Sequence, residues 1–237
     1  MASGANIYTT IPGSSIGLTG GTSVAAPQVT GLAALLLEQL KTTAAPNTPR
    51  RPELLKAIIL ASALHDIEPG TEKDGLGGID AAMAMTIAQQ GWFVAETVSE
   101  ADFSLTPEGE YQRTYSANLV RGEKVRLVLV YNSQAHYTSI NDFSNVTLSE
   151  LGLRVLDPSG SEVDFSLHFV EPMEGVEFIA PETGTYSFVV VKSFWAPTNL
   201  QERIALAWSR DATYLPELYN QAGWASIITL RNNGTMT

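Results

Sequence analysis

Apolar residues recur at helical spacing from Ala25 onward. Val29, Leu32, Leu36 and Leu40 fall on one face, and Ala33, Leu35 and Leu37 fill its neighbours. The pattern predicts a helix over residues 25–40 that is apolar nearly all round and so belongs in a domain interior. Residues 42–49 are a Pro/Thr loop. The next helix opens with Pro52 and Glu53, both favoured in a first turn, and runs to about Leu64. Asp80 is placed to cap a third, shorter helix that ends at Gly91. In this first part only residues 7–11 are β-branched and aromatic enough for a strand.

From about Phe103 the period changes. Residues 125–131 form a run apolar enough for a central strand. Residues 151–156 precede Asp157-Pro158-Ser159-Gly160, with Pro and Gly where a turn wants them. Residues 176–179 and 185–191 flank a second turn, Pro181-Glu182-Thr183-Gly184. Ile204, Leu206 and Trp208 alternate on one face of another strand. Short strands with regular turns argue for a β-sandwich. Residues 223–231 read as one more strand and Asn232-Asn233-Gly234 as a hairpin turn; no return strand follows Thr237, so a further β-module or a pairing strand is expected over residues 213–237.

Composition narrows the partners. The 237 residues suit one or two domains, and 44% hydrophobic content supplies real cores. A formal net charge of −11 disfavours nucleic acid and anionic membranes. The absence of cysteine excludes disulfides, thiol catalysis and Cys-ligated zinc. No run reaches the roughly 18 apolar residues of a membrane span, because Glu38 and Gln39 interrupt the longest candidate. Met1-Ala2-Ser3-Gly4 has no basic segment ahead of an apolar stretch, unlike a secretory signal.

The candidate chemistry lies at the mouth of the first helix, in Gly21-Thr22-Ser23-Val24-Ala25-Ala26-Pro27. Thr22 or Ser23 can cap the helix, and Pro27 is tolerable in its first turn. Gly20 and Gly21 let the entering backbone bend tightly and approach another chain closely. A hydroxyl there faces free amides and the positive end of a helix, which stabilise negative charge on a reacting oxygen. Ser23 therefore reads either as an N-cap or as a nucleophile.

GGTSVAAPQVTGLAALL resembles the nucleophile segment of the subtilisin-like serine peptidases (subtilases), whose pattern runs approximately GTSMAAPHVAGAAAL. Gly21, Thr22, Ser23, Ala25, Ala26, Pro27, Val29 and Gly31 match, while Val24 stands for the usual Met and Gln28 for the usual His. The segment from Gly4 to Gly13 is similar to the strand and turn leading to the family's serine. The stretch from Arg51 to Ala57 is similar to its next helix, and Gly75-Leu76-Gly77-Gly78-Ile79-Asp80 to the glycine-rich turn into its last one. The resemblance implies that Ser23 is a nucleophile whose proton goes to an Asp-oriented His. It further implies an oxyanion hole made by the serine's amide and an upstream Asn.

In the family the order is Asp, His, Ser, and Ser23 lies too near Met1 for the other two to precede it. The expectation is that the missing N-terminal part of the catalytic domain supplies them, and that the isolated chain is inactive. Of the histidines present, His65, His136 and His168, none is expected to complete a new triad. The β part resembles the jelly-roll-like sandwich that follows the catalytic domain in many bacterial secreted peptidases, through LRVLDPSG and APETGTYSFVVV.

The expected fold is thus α/β followed by all-β. Residues 1–95 form the C-terminal segment of a doubly wound subtilase domain, and residues 96–212 an antiparallel β-sandwich. The implied substrate is a protein or peptide, the implied location of the complete protein is extracellular, and no cofactor or metal is implied. The other reading is a non-catalytic β-sandwich binding module carrying a vestigial piece of peptidase.

A parallel sheet needs helices on both faces, yet here helices stand with one strand. Each exposed Leu or Val forgoes roughly 1.5–3 kcal/mol, so residues 1–95 alone are expected to fold poorly, self-associate or dock against something else. The remaining features take plainer readings. Asp142, Glu150, Asp157, Glu162 and Asp164 lack the DxDxDG spacing of a calcium loop and read as solvated carboxylates. Trp92, Phe93, Tyr131, Trp195 and Trp208 read as core and rim packing before a sugar or peptide platform. Asn145-Val146-Thr147 and Asn233-Gly234-Thr235 are sequons only in a secreted setting.

Overall fold

The helical periods become three helices in a computed structural model, which describes residues 1–43, 48, 51–64, 75–132, 149–169, 171–195 and 201–211. They are α1 (Thr22–Thr43), α2 (Pro52–Ala61) and α3 (Ala81–Gln90). The ends of α3 follow the sequence signals. The Asp80 carboxylate accepts from the Met83 amide at 2.9 Å, and Gly91 adopts the left-handed conformation, φ 68°, that a C-terminal glycine permits. Helix α2 stops short of the expected Leu64. Leu64 instead forms an antiparallel bridge with Gly78, exchanging hydrogen bonds of 2.7 and 2.9 Å.

The described residues divide into two compact units. The first takes Met1–Thr97 together with Val128–Asn132 and Arg203–Trp208. Its buried residues come from one stripe of each helix (Leu32, Leu36 and Leu40 of α1, Leu54, Ala57 and Ile58 of α2, Ala84, Ile87 and Ala88 of α3) and from residues 128–131 and 204–208 of the same unit. Helix α1 is not buried all round as its sequence predicts, for Leu35 is 59% exposed. Two strands, not one, precede it. β1 (Ile7–Ile11) and β2 (Ser15–Thr19) pair as an antiparallel hairpin, Ile7 opposite Thr19 and Ile11 opposite Ser15. The tight turn puts Gly13 at φ 89° and Ser14 at φ 57°. Closing so short a loop costs little entropy, so the expected lead-in strand finds a local partner in place of a parallel sheet.

The remaining strands are β3 (Phe93–Val98), β4 (Ser104–Leu105), β5 (Tyr111–Leu119), β6 (Lys124–Asn132), β7 (Glu150–Leu156), β8 (Glu162–Ser166), β9 (Met173–Ile179), β10 (Gly184–Phe194) and β11 (Glu202–Asp211). They form a five-stranded sheet in the order β4-β5-β10-β7-β8 and a four-stranded sheet in the order β3-β11-β6-β9. In the first, β10 is antiparallel to both neighbours, with Phe188 opposite Tyr115 on one side and Val155 on the other.

The expected central strand is as apolar as its surroundings, since Val125 through Tyr131 are all buried. Strand β11 departs from simple alternation. Ala205 and Ala207 are buried along with Ile204, Leu206 and Trp208, so both of its faces are covered. The turn after β7 closes with a 2.9 Å bond from the Gly160 amide to the Asp157 carbonyl. The second unit, which takes the described residues of Val98–Leu127, Ser133–Glu202 and Ser209–Thr237, is packed around Leu127, Leu153, Tyr186, Phe188 and Val190. Within it Phe178 stacks on Tyr186 with ring centroids 5.9 Å apart. The expected module over residues 213–237 lies outside the described residues.

Candidate active site

Ser23 occupies the first turn of α1 and is exposed. The residue that caps the helix is neither Thr22 nor Ser23, in contrast to the sequence expectation. Gly21 does so through its backbone, its carbonyl accepting from Val24 at 3.0 Å and from Ala25 at 3.4 Å. Gly21 has φ 133°, a conformation that residues with a Cβ rarely adopt. Its amide donates to the Gly4 carbonyl at 2.6 Å. A Cβ on Gly20 would stand 3.0 Å from that same carbonyl oxygen. The two glycines thus let the segment at Gly4 lie directly against the helix entrance.

This arrangement leaves the serine untied. Among the described residues, neither the Ser23 hydroxyl nor the Ser23 amide has a hydrogen-bond partner. The free amides of a first helical turn are anion-binding groups, and the Ser23 amide is one of them. Gln28, one turn on, ties the segment together: its Nε2 donates to the Ser3 carbonyl at 2.7 Å and to Val24 at 3.1 Å. Its departure from the family's usual His is the one sequence sign of that role.

His65, His136 and Asp142 lie outside the described residues, as do both sequons. His168 belongs to the second unit. Its Nδ1 lies 2.9 Å from the fully buried Glu174 carboxylate, whose oxygens also accept from the His168 amide at 2.8 Å and the Ser166 hydroxyl at 2.5 Å. Serine and carboxylate therefore meet the same ring nitrogen, Nδ1, and no nucleophile–base–carboxylate relay is built there.

The acidic residues weighed as a calcium cluster take separate partners. Asp157 accepts from the Ser159 hydroxyl and from the Ser159 and Ser161 amides, bonds that hold its carboxyl below the ordinary range. Glu162 lies 2.9 Å from Arg154. Glu150 is pushed up by burial and by the neighbouring Glu174. Of the aromatic residues, Tyr131, Trp195 and Trp208 are buried, with Trp195 edge-on to Phe103 at 5.6 Å, while Trp92 and Phe93 are half-buried.

One polar cluster escapes sequence reading. Glu53, expected only as a first-turn acid, has a fully buried side chain. It accepts from Arg203 Nε at 3.0 Å and, at 3.4 Å each, from Arg51 and Asn132, all within the first unit. Arg203 is 150 positions away along the chain, so no local pattern reveals it. Among the described residues no three His, Asp or Glu side chains gather to hold a metal ion, and no helix is long and apolar enough to cross a membrane.

The Subtilase family model matches residues 1–92, so this stretch, with Ser23 in it, is subtilase-like. No curated protein matches. Among solved structures, the chain is similar to a serine protease of Aeromonas sobria at 12% identity, covering 83% of this chain and 45% of that one with a TM-score of 0.24. It is similar to the Aeromonas hydrophila periplasmic inhibitor of g-type lysozyme, PliG, at 11% identity over 50% of this chain and 84% of that one, TM-score 0.29. A third is the enzymatically active domain of bacteriophage CBA120 tailspike protein 4, at 10% identity over 50% of this chain and 18% of that one, TM-score 0.29. At such TM-scores none of the three bears on fold or activity.

Proposed function

We propose that Ser23 is the nucleophile of a subtilisin-like serine endopeptidase, and that the chain acts when a second stretch of polypeptide brings the His, Asp and Asn of that chemistry. The observation that carries the reading is the exposed, uncapped Ser23 hydroxyl beside its own unpartnered amide, inside a stretch that matches the Subtilase family model. In the proposed reaction Ser23 Oγ bonds to the peptide carbonyl carbon and its proton passes to the supplied His. The oxyanion is held by the Ser23 amide and the supplied Asn. The amine leaves with the proton from His, and water then cleaves the acyl-enzyme, restoring the hydroxyl.

The uncovered apolar side chains of the first unit, Tyr8, Ile16, Leu18 and Leu35, suit contact with the sheet of a doubly wound domain, and in its absence favour self-association. On this reading the strands after the helices are a β-sandwich appendage, and the complete protein is secreted.

Fluorophosphonate labelling tests the proposal. The chain alone labels weakly. The chain extended at its N-terminus by the Asp- and His-bearing part of a subtilase domain labels strongly, and Ser23→Ala abolishes that signal. Labelling of the extended protein that survives Ser23→Ala would refute the assignment, and strong hydrolysis by the unextended chain would refute the need for a second stretch.

A further inference from the structure

The second unit carries an open cleft of about 680 Å³ on its five-stranded sheet, bordered by Glu110, Tyr111, Arg154, Phe165, Lys192 and Phe194. That size falls within the roughly 300–1,000 Å³ of small-ligand sites. Three of its rings are open to solvent: Tyr111 is 41% exposed, Phe165 39% and Phe194 45%. Gly152 packs beneath two of its lining side chains, Phe165 and Leu167. A Cβ there would stand 3.3 Å from both the Phe165 ring and Leu167, a tight contact that glycine avoids.

The charges of the cleft are committed to one another. Arg154 grips Glu110 with both terminal nitrogens at 2.6 and 3.1 Å, has Glu162 at 2.9 Å from Nε, and lies 5.0 Å from the Phe165 ring centroid. Lys192 pairs with Glu100 at 2.6 Å and sits 3.8 Å from the centre of the Tyr111 ring. Three carboxylates thus face two cations, which disfavours an anion. A cationic ligand has to compete with Arg154 and Lys192, the cations these carboxylates already hold. Hydroxyl groups do not, because paired carboxylates retain lone pairs able to accept further bonds. An extended peptide cannot insert as a strand between β5, β10 and β7, which are hydrogen-bonded to one another.

We infer that this cleft binds a neutral oligosaccharide, the exposed rings stacking on the apolar faces of sugar rings and the Arg154–Glu110 fork bonding their hydroxyls. Such binding is independent of Ser23 and places a glycan-recognition site on the β part of the molecule.

The full chain tests this with a printed panel of neutral glycans, followed by calorimetric titration with cellohexaose, chitohexaose and maltohexaose. At least one neutral glycan is expected to bind saturably. Phe165→Ala and Phe194→Ala are each expected to weaken it about tenfold, the scale of one lost aromatic contact, while Tyr8→Ala in the first unit leaves it unchanged. Both phenylalanines are substantially exposed, so the variants keep the parent's circular dichroism and melting profile. Silence across the panel, affinity indifferent to both phenylalanine variants, or saturation by a Lys/Arg-rich peptide where the sugars give nothing each overturns the inference.

Discussion

The two units cover their apolar residues to different degrees. In the second, strand β10 lies between two partners, and Tyr186, Phe188, Val189 and Val190 are at most 1% exposed. In the first, α1 is just as rich in apolar residues but buries only the stripe Leu32, Leu36 and Leu40, and the hairpin leaves Tyr8 at 74%, Ile16 at 73% and Leu18 at 59% exposed. The lesson is that apolar content alone does not decide burial. The surrounding strands of β10 are all supplied by this chain. The hairpin has only itself to pair with, and a two-stranded sheet has no covered face of its own.

Side-chain truncation sharpens that contrast most. Phe188→Ala is expected to cost about 3–5 kcal/mol and Leu36→Ala about 2–5 kcal/mol, since both empty a filled core site. Leu35→Ala, one residue along the same helix, should stay within about 0.5 kcal/mol. Denaturant titration reads all three, and equal losses at Leu35 and Leu36 would mean that the outer face of α1 is covered after all. A smaller loss is expected for Glu53→Ala. Arg203 is 39% exposed and can regain water, so the cost is about 1–3 kcal/mol, that of unpairing hydrogen bonds to a charged group, below that of a fully buried ion pair. Smaller still in stability, but visible in association, is the Ile16→Ser, Leu18→Ser double variant. It should melt with the parent and scatter less light at high concentration.

The sequence is most legible where a signal is local. Asp80 and Gly91 mark both ends of α3, and residues 125–131, apolar but for Arg126, mark a strand covered on both faces. Ser23 is legible as a candidate because the surrounding GTSxAAP segment is contiguous. What is not legible depends on distant partners. The hairpin is missed because residues 15–19 carry too few β-branched side chains to announce a strand; pairing with β1 makes them one. The all-round burial expected of α1 fails because periodicity reports what a helix could bury, not whether anything is there to cover it. Glu53 reads as a surface acid until Arg203 and Asn132 arrive from β11 and β6.

The smallest effects concern carboxylates of the second unit, where Glu150 and Glu110 respond to pH in opposite senses. Burial, and then the Glu174 charge, raise the Glu150 pKa above its ordinary value. The folded state therefore holds the Glu150 proton more tightly than the unfolded one, and stability falls as pH rises from the ordinary carboxylate value through the raised one. A Glu150→Gln variant should accordingly be slightly more stable than the parent at neutral pH and equal to it in acid, where Glu150 is already protonated. Glu110 has the reverse sign: the hydrogen bonds from Arg154 lower its pKa. Its contribution is present above the ordinary value and is lost as pH falls through the lowered one, so Glu110→Gln should be slightly less stable at neutral pH and converge with the parent in acid. Both effects are modest because both groups retain solvent contact. Urea midpoints measured across the acid range decide the matter. Parallel shifts for the two variants would show that net charge, rather than the local partners Glu174 and Arg154, governs these groups.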